Sequence, residues 1–162
     1  MSSNEVETPP EAAAVRDALV GRVLLWRSFG PESLNDLSRL LRRVADARRR
    51  LPSLLSLWWL VEADGGIPSG DTQAAMLRTL ISLFNHCESV TFVVRGDGIK
   101  ASLLRSVLRS MATGSAHGPR ARVVEDLAAA RASTEPGLDF TELERAMQAL
   151  GFGSPADYSR GL

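Results

Sequence analysis

The feature that most constrains the fold is a fourfold alternation of short apolar runs and amphipathic stretches along residues 15 to 131. Val23 to Trp26, Leu54 to Val61, Val90 to Val94 and Arg122 to Val124 have the length and apolar content of strands. Leu34 to Ala47, Thr72 to Phe84, Leu103 to Met111 and Glu125 to Ala132 carry apolar residues at helical spacing. This order predicts an α/β fold: a four- to five-stranded mixed, mainly parallel sheet with helices packed on it, plus an extra C-terminal helix. In such sheets the loops that follow the strands carry the chemistry. Here those loops lack the usual catalytic residue sets.

With 162 residues the chain is long enough for one domain with a real core. Its 19 basic and 19 acidic residues cancel, which gives no overall attraction to nucleic acid or anionic lipid. No apolar run reaches the roughly 18 residues of a membrane span. The polar, acidic start Met1 to Pro10 lacks the basic head and apolar centre of a secretory signal. Cys87 is the single cysteine, which excludes an internal disulfide and suits a reducing compartment. The expected location is the cytoplasm. Residues 1–12 read as a disordered tail, 13–132 as the α/β domain, 133–152 as a linker and amphipathic helix, and 153–162 as a mobile end.

Along the chain, Val15 to Leu19 and Arg22 to Ser28 read as an opening hairpin turned at Gly21. Ser33 and Asp36 resemble a capping box, followed by Leu34, Leu37, Leu41 and Val44 on one helical face. Arg39, Arg42, Arg43 and Arg48 to Arg50 fill the other faces and the last turn; a solvated face that suits the helix dipole is the simpler reading than a recognition patch. Ser53 to Val61 is apolar on both alternating sides, as a central parallel strand is. Leu55, Leu57, Trp59 and Val61 line one side; Leu54, Trp58 and Leu60 line the other. Asp71 or Thr72 is expected to cap the next helix, with Met76, Leu77, Leu80, Ile81 and Phe84 as its core stripe. The following helix is expected to bury Leu103, Leu104, Val107, Leu108 and Met111 and to expose Lys100, Arg105 and Arg109. A last helix over Asp139 to Leu150 carries Thr141 and Glu144 as a capping box and stops at Gly151.

The chemistry-bearing residues are sparse. His86 and Cys87 are adjacent on an expected helix end and point apart, and His117 is distant, so no metal site is expected. The same adjacency is the wrong geometry for a Cys–His nucleophile. Gly96, Gly98 and Lys100 open a helix after a strand, where backbone N–H groups can hold an anion. Their spacing fits neither a P-loop nor a dinucleotide fingerprint, and a turn that needs glycine explains them. Glu62 and Asp64 follow the central strand and read as a solvated pair. A response-regulator receiver would place acidic residues after its first strand, where this chain has Arg27-Ser28-Phe29-Gly30.

The layout over residues 15 to 132 resembles a STAS domain of the SpoIIAA-like, anti-sigma-factor-antagonist type. The opening hairpin, Gly30 after the second strand, three strand–helix steps and a short last strand leading into Glu125-Asp126-Leu127-Ala128 carry the resemblance. It implies a serine or threonine phosphorylated at the start of the helix after the central strand, within Asp-Ser-Ser/Thr-Gly. This chain has Asp64-Gly65-Gly66-Ile67-Pro68-Ser69-Gly70-Asp71-Thr72 there, so the motif is absent and Ser69 and Thr72 stand at about the right place. The resemblance implies a non-enzymatic regulatory or scaffolding module without cofactor. Its protein partner would meet Asp64, Gly66, Ile67, Ser69, Asp71 and Thr72. The alternative is a small-ligand or nucleotide-binding domain that uses Gly96 to Ser102 as an anion cradle with Lys100 as the charge. STAS sheets carry most helices on one face, so Leu54, Trp58 and Leu60, together with Trp26 and Leu24, need a second cover. The C-terminal helix with Leu138, Phe140, Leu143, Met147, Leu150 and Phe152, or a second copy in a homodimer, would supply it.

Overall fold

Alternation along the central strand decides which layer each neighbouring element joins. The computed structural model describes residues 16–28, 32–63, 66–114, 120–125, 129–130 and 138–152. The strands are β1 Asp17–Val20, β2 Val23–Arg27, β3 Leu55–Glu62, β4 Cys87–Arg95 and β5 Ala121–Val124. The helices are α1 Leu34–Arg50, α2 Gly70–Leu83, α3 Gly98–Gly114 and α4 Phe140–Ala149. The five strands lie in the order β1-β2-β3-β4-β5. β1 and β2 form the antiparallel hairpin, turned at Gly21 with φ 58, and every later pairing is parallel. The sheet is therefore mixed and mostly parallel.

Because the parallel strands follow one another in a single direction, α1, α2 and α3 all return over one face. Their buried side chains, among them Leu40, Val44, Met76, Leu80, Leu104 and Leu108, share a core with Leu24, Trp26, Leu57, Trp59, Val90 and Phe92. Trp59 and Phe92 are register partners and stack at 5.1 Å between ring centroids. The opposite face carries Val23, Leu25, Trp58, Leu60 and Val93, and α4 covers it with Leu143, Met147, Leu150 and Phe152. The C-terminal helix thus docks within its own chain. Arg27 Nη1 donates to the Leu150 carbonyl and ties the helix end to β2. Gly151, at φ 70, closes the helix while Phe152 N–H reaches the Met147 carbonyl at 3.1 Å.

Several local expectations change. Trp26 and Leu24 lie on the three-helix face, because β2 pairs with β3 as Trp26 to Trp59 and Leu24 to Leu57. β4 starts at Cys87, ahead of its apolar run, because Glu88 finds partners in Arg22 and Ser56. α3 starts at Gly98 and packs through Ala101, Leu104, Arg105, Leu108 and Met111, which leaves Leu103 49% exposed and Arg105 at 8%. On α2, Ile81 faces solvent and Ala75, Met76, Thr79, Leu80 and Leu83 carry the buried face. On α1, Leu34 is exposed and Leu37, Leu40, Val44 and Ala47 are buried. The Ser33–Asp36 capping box is present, whereas α4 is capped by Asp139, which accepts from Glu142 N–H at 3.1 Å. Of the helix expected over 125–132, Ala129 and Ala130 are described as helical, and Ala130 is buried beside α4. The tails 1–12 and 153–162 and the linker 133–137 lie outside the described residues.

Candidate functional site

Parallel strands end together, so the C-terminal ends of β2, β3, β4 and β5 and the starts of α1, α2 and α3 form one rim. Among the described residues the strand order never reverses along the parallel part, so the sheet has no topological switch point. Chemistry on this rim has to come from the side chains at the helix starts.

The loop after β3 leads into α2 through tight local bonds. Gly66 N–H reaches the Ala63 carbonyl at 3.4 Å, and Gly66 adopts φ 91. Ser69, not Asp71 or Thr72, is the N-cap: its Oγ accepts from Thr72 N–H at 3.4 Å and lies 3.1 Å from Thr72 Oγ1. Gln73 Nε2 donates to the Pro68 carbonyl at 2.9 Å and fixes the approach to the helix. Gly66, Ile67, Ser69 and Asp71 are exposed, and Thr72 is half-buried. The structure brings these five of the six expected partner-facing residues together; Asp64 lies outside the described residues.

Gly96 to Lys100 are exposed, with Gly96 at φ 125 and Gly98 at φ 87, whereas Ala101 is buried. Two facts account for Gly96. Its φ is costly for other residues, and a Cβ there would stand 3.1 Å from that of Ala63. Arg105 reaches back from α3 and donates to the Val94 carbonyl at 3.0 Å and the Gly96 carbonyl at 2.7 Å. This guanidinium ties the turn to the helix.

The rim also holds a buried polar network that sequence reasoning missed. Trp59 Nε1 donates to Ser28 Oγ at 2.8 Å, and the Ser28 hydroxyl donates in turn to Glu32 Oε1. Trp26 Nε1 donates to the same Glu32 oxygen at 3.4 Å. Glu32 is 6% exposed, and burial raises its carboxyl above the ordinary value against the pull of these donors and of Arg16. Glu32 Oε2 is buried and accepts no hydrogen bond. On the sequence, Glu32 follows Gly30-Pro31 and nothing singles it out. The available signal was the pair of tryptophans on adjacent strands, whose indole N–H groups need acceptors once buried.

Elsewhere, Cys87 starts β4 rather than ending a helix, and burial pushes its thiol up to about 12, which leaves it unreactive. Among the described residues no group of three or more His, Cys, Asp or Glu side chains is placed to hold a metal. His117 lies outside them. Three of the arginines of α1 have partners: Arg43 with Asp17 at 2.7 Å, Arg48 with the Leu51 carbonyl at 2.8 Å, and Arg49 with Asp46. Among the described residues no helix is long and apolar enough to cross a membrane. Comparison with protein-family models, curated proteins and solved structures returned no match for this chain.

Proposed function

We propose that this chain is a non-enzymatic regulatory or scaffolding module, STAS-like in layout, that docks a protein partner on the rim where its parallel strands end. One observation carries the reading. Among the described residues five large apolar side chains are exposed: Leu34, Ile67, Ile81, Ile99 and Leu103. Leu34 and Ile99 stand at helix starts on that rim and Ile67 just before one, at 70%, 79% and 42% exposure, and Leu103 lies one turn beyond Ile99 along α3 at 49%. Single exposed apolar residues are ordinary, but a row of them along one edge marks an interaction surface. The loop 66–69 and the first turn of α2 lie within this row, between the starts of α1 and α3.

The one-sided arrangement of α1, α2 and α3 supports the STAS-like layout, and the exposed Ser69 Oγ at a helix N-terminus supports a phosphorylation switch. A phosphate there meets the helix dipole and the first backbone N–H groups, with Asp71 opposing it. Partner capture tests the docking role. The tagged protein and a variant carrying Ile67→Asp and Leu103→Asp are used in parallel from the source cell. Both positions are exposed, so the melting temperature stays the same. Proteins that co-purify with the unaltered chain are lost with the variant. Equal recovery with both would contradict the rim as the docking surface.

A further inference from the structure

The zero net charge of the chain hides a division between its layers. α1, α2 and α3 together carry ten basic and three acidic residues, whereas α4 with its cap carries Asp139, Glu142 and Glu144 against Arg145. On the three helices Arg39, Arg42, Arg49, Arg50, Arg78 and Arg109 are exposed, with Lys100 nearer the rim. Asp71, at the start of α2, is the one acidic side chain exposed on them. Asp36 is answered by Arg16 at 3.0 Å, and Asp46 by Arg49. Among the described residues Arg42, Arg50, Arg78 and Arg109 have no ion-pair partner. The acidic helix α4 lies across the sheet, beyond the roughly 8 Å over which charges are felt at physiological salt. The basic face therefore keeps its own field.

Its composition narrows what it can bind. Arg39, Arg42, Arg49 and Arg50 follow one side of α1, opposite Leu37, Leu40, Val44 and Ala47. α2 packs beside α1, and α3 lies on the same sheet face, so Arg78 and Arg109 widen the stripe into a field. A protein interface centres on apolar side chains, and anchoring at a lipid surface needs an apolar face too. Farther from the rim than Leu103, only Ile81 among the described large apolar side chains is exposed. Single-stranded nucleic acid is held by stacking on exposed rings, and Trp26, Trp58, Trp59, Phe84 and Phe92 are all buried. A broad set of guanidinium forks without an apolar or aromatic centre suits the regular phosphates of a duplex.

We propose that the solvent face of α1, α2 and α3 binds the phosphate backbone of double-stranded nucleic acid without reading its sequence, with Arg42 and Arg78 near its centre. The inference uses the sides of the helices rather than their starts. A duplex held there adds no protein contact, so this reading and the docking reading fail separately.

Fluorescence anisotropy of the full chain with labelled duplexes of about 20 base pairs, in about 50 to 200 mM sodium chloride, provides the test. Two DNA duplexes of unrelated sequence are expected to bind within about twofold of each other, with a logarithmic salt slope of about −4, as for four or five phosphates. An RNA duplex is run beside them; binding of either kind supports the inference, and the tighter one names the source. Arg42→Gln combined with Arg78→Gln is expected to flatten the slope by about 2 and to weaken binding at least about tenfold, at an unchanged melting temperature. Arg122→Gln combined with Arg145→Gln removes the same charge from exposed sites across the sheet and is expected to leave affinity and slope as they were. No binding at the lowest salt, equal losses in both double variants, or a sequence preference above about tenfold would overturn the inference. So would displacement of the duplex by poly-L-glutamate at lower charge concentration than by unlabelled duplex, which would point to an acidic protein. Retention on phosphatidylglycerol vesicles at a salt concentration that frees the duplex would overturn it in favour of a lipid surface.

Discussion

Glu32 is the buried acceptor that Ser28 and Trp26 share on the rim. Its carboxyl is raised above the ordinary value by burial, so the folded state favours the protonated form. That contribution is complete below the unfolded value near 4.5 and is lost as pH rises through the folded value. Glu32→Gln is therefore expected to flatten the pH dependence of stability above this point and to raise stability at neutral pH by about 1 kcal/mol. Urea unfolding at a series of pH values checks both. Ser28→Ala acts in the other direction, because it removes the acceptor of the Trp59 indole N–H and one donor to Glu32. A cost of about 2 kcal/mol is expected, measured by the same method. None of this was legible in the sequence. Nothing around Glu32 in the sequence singles it out, and only the register that sets Trp26 beside Trp59 reveals that both indoles need buried acceptors. Arg105 was misplaced for a related reason: its carbonyl partners belong to the strand before its helix, and helical spacing alone says nothing of them.

At the scale of elements, periodicity carried far. The Leu54 to Val61 run implied two buried faces, and β3 has them, with Leu57 and Trp59 on one side and Trp58 and Leu60 on the other. The Ser33–Asp36 box and the Gly151 stop were readable because capping chemistry is local. Helix starts were less readable. α2 and α3 begin earlier than their apolar stripes, since Ser69 and the Gly98 turn supply the first turn without apolar residues. The cover provided by α4 gives a quantitative prediction. Met147 is fully buried against the second face, so Met147→Ala is expected to cost about 3 kcal/mol, whereas Gln148→Ala, at an exposed site, changes stability by less than about 0.5 kcal/mol. Deletion of residues 138–162 uncovers Trp58, Leu60 and Val93 and is expected to produce binding of a hydrophobic dye.

For the whole molecule, one-directional strand order is the governing fact. It places the three crossover helices on one face, leaves the other to α4, and gathers the helix starts on one rim. Among the described residues it also gives the sheet no switch point, and a small pocket lies between the ends of β2 and β3 and the helices over them. The alternating order of elements implied this layering, but the apolar row on the rim was hidden. Leu34 and Leu103 were read as core residues because they fall on apolar spacings; Leu34 is exposed at the first position of α1, and Leu103 lies off the buried face that Ala101, Leu104, Arg105 and Leu108 set on α3. The most direct measurement is photo-crosslinking in the source cell, with the reactive residue placed at Ile67, Ile99 or Leu103, or at Arg49 or Arg50 on the opposite edge. Docking on the rim yields one discrete crosslinked species from the first three positions and none from the two arginine positions. Crosslinks of equal yield from both edges, or none from the rim, would contradict it.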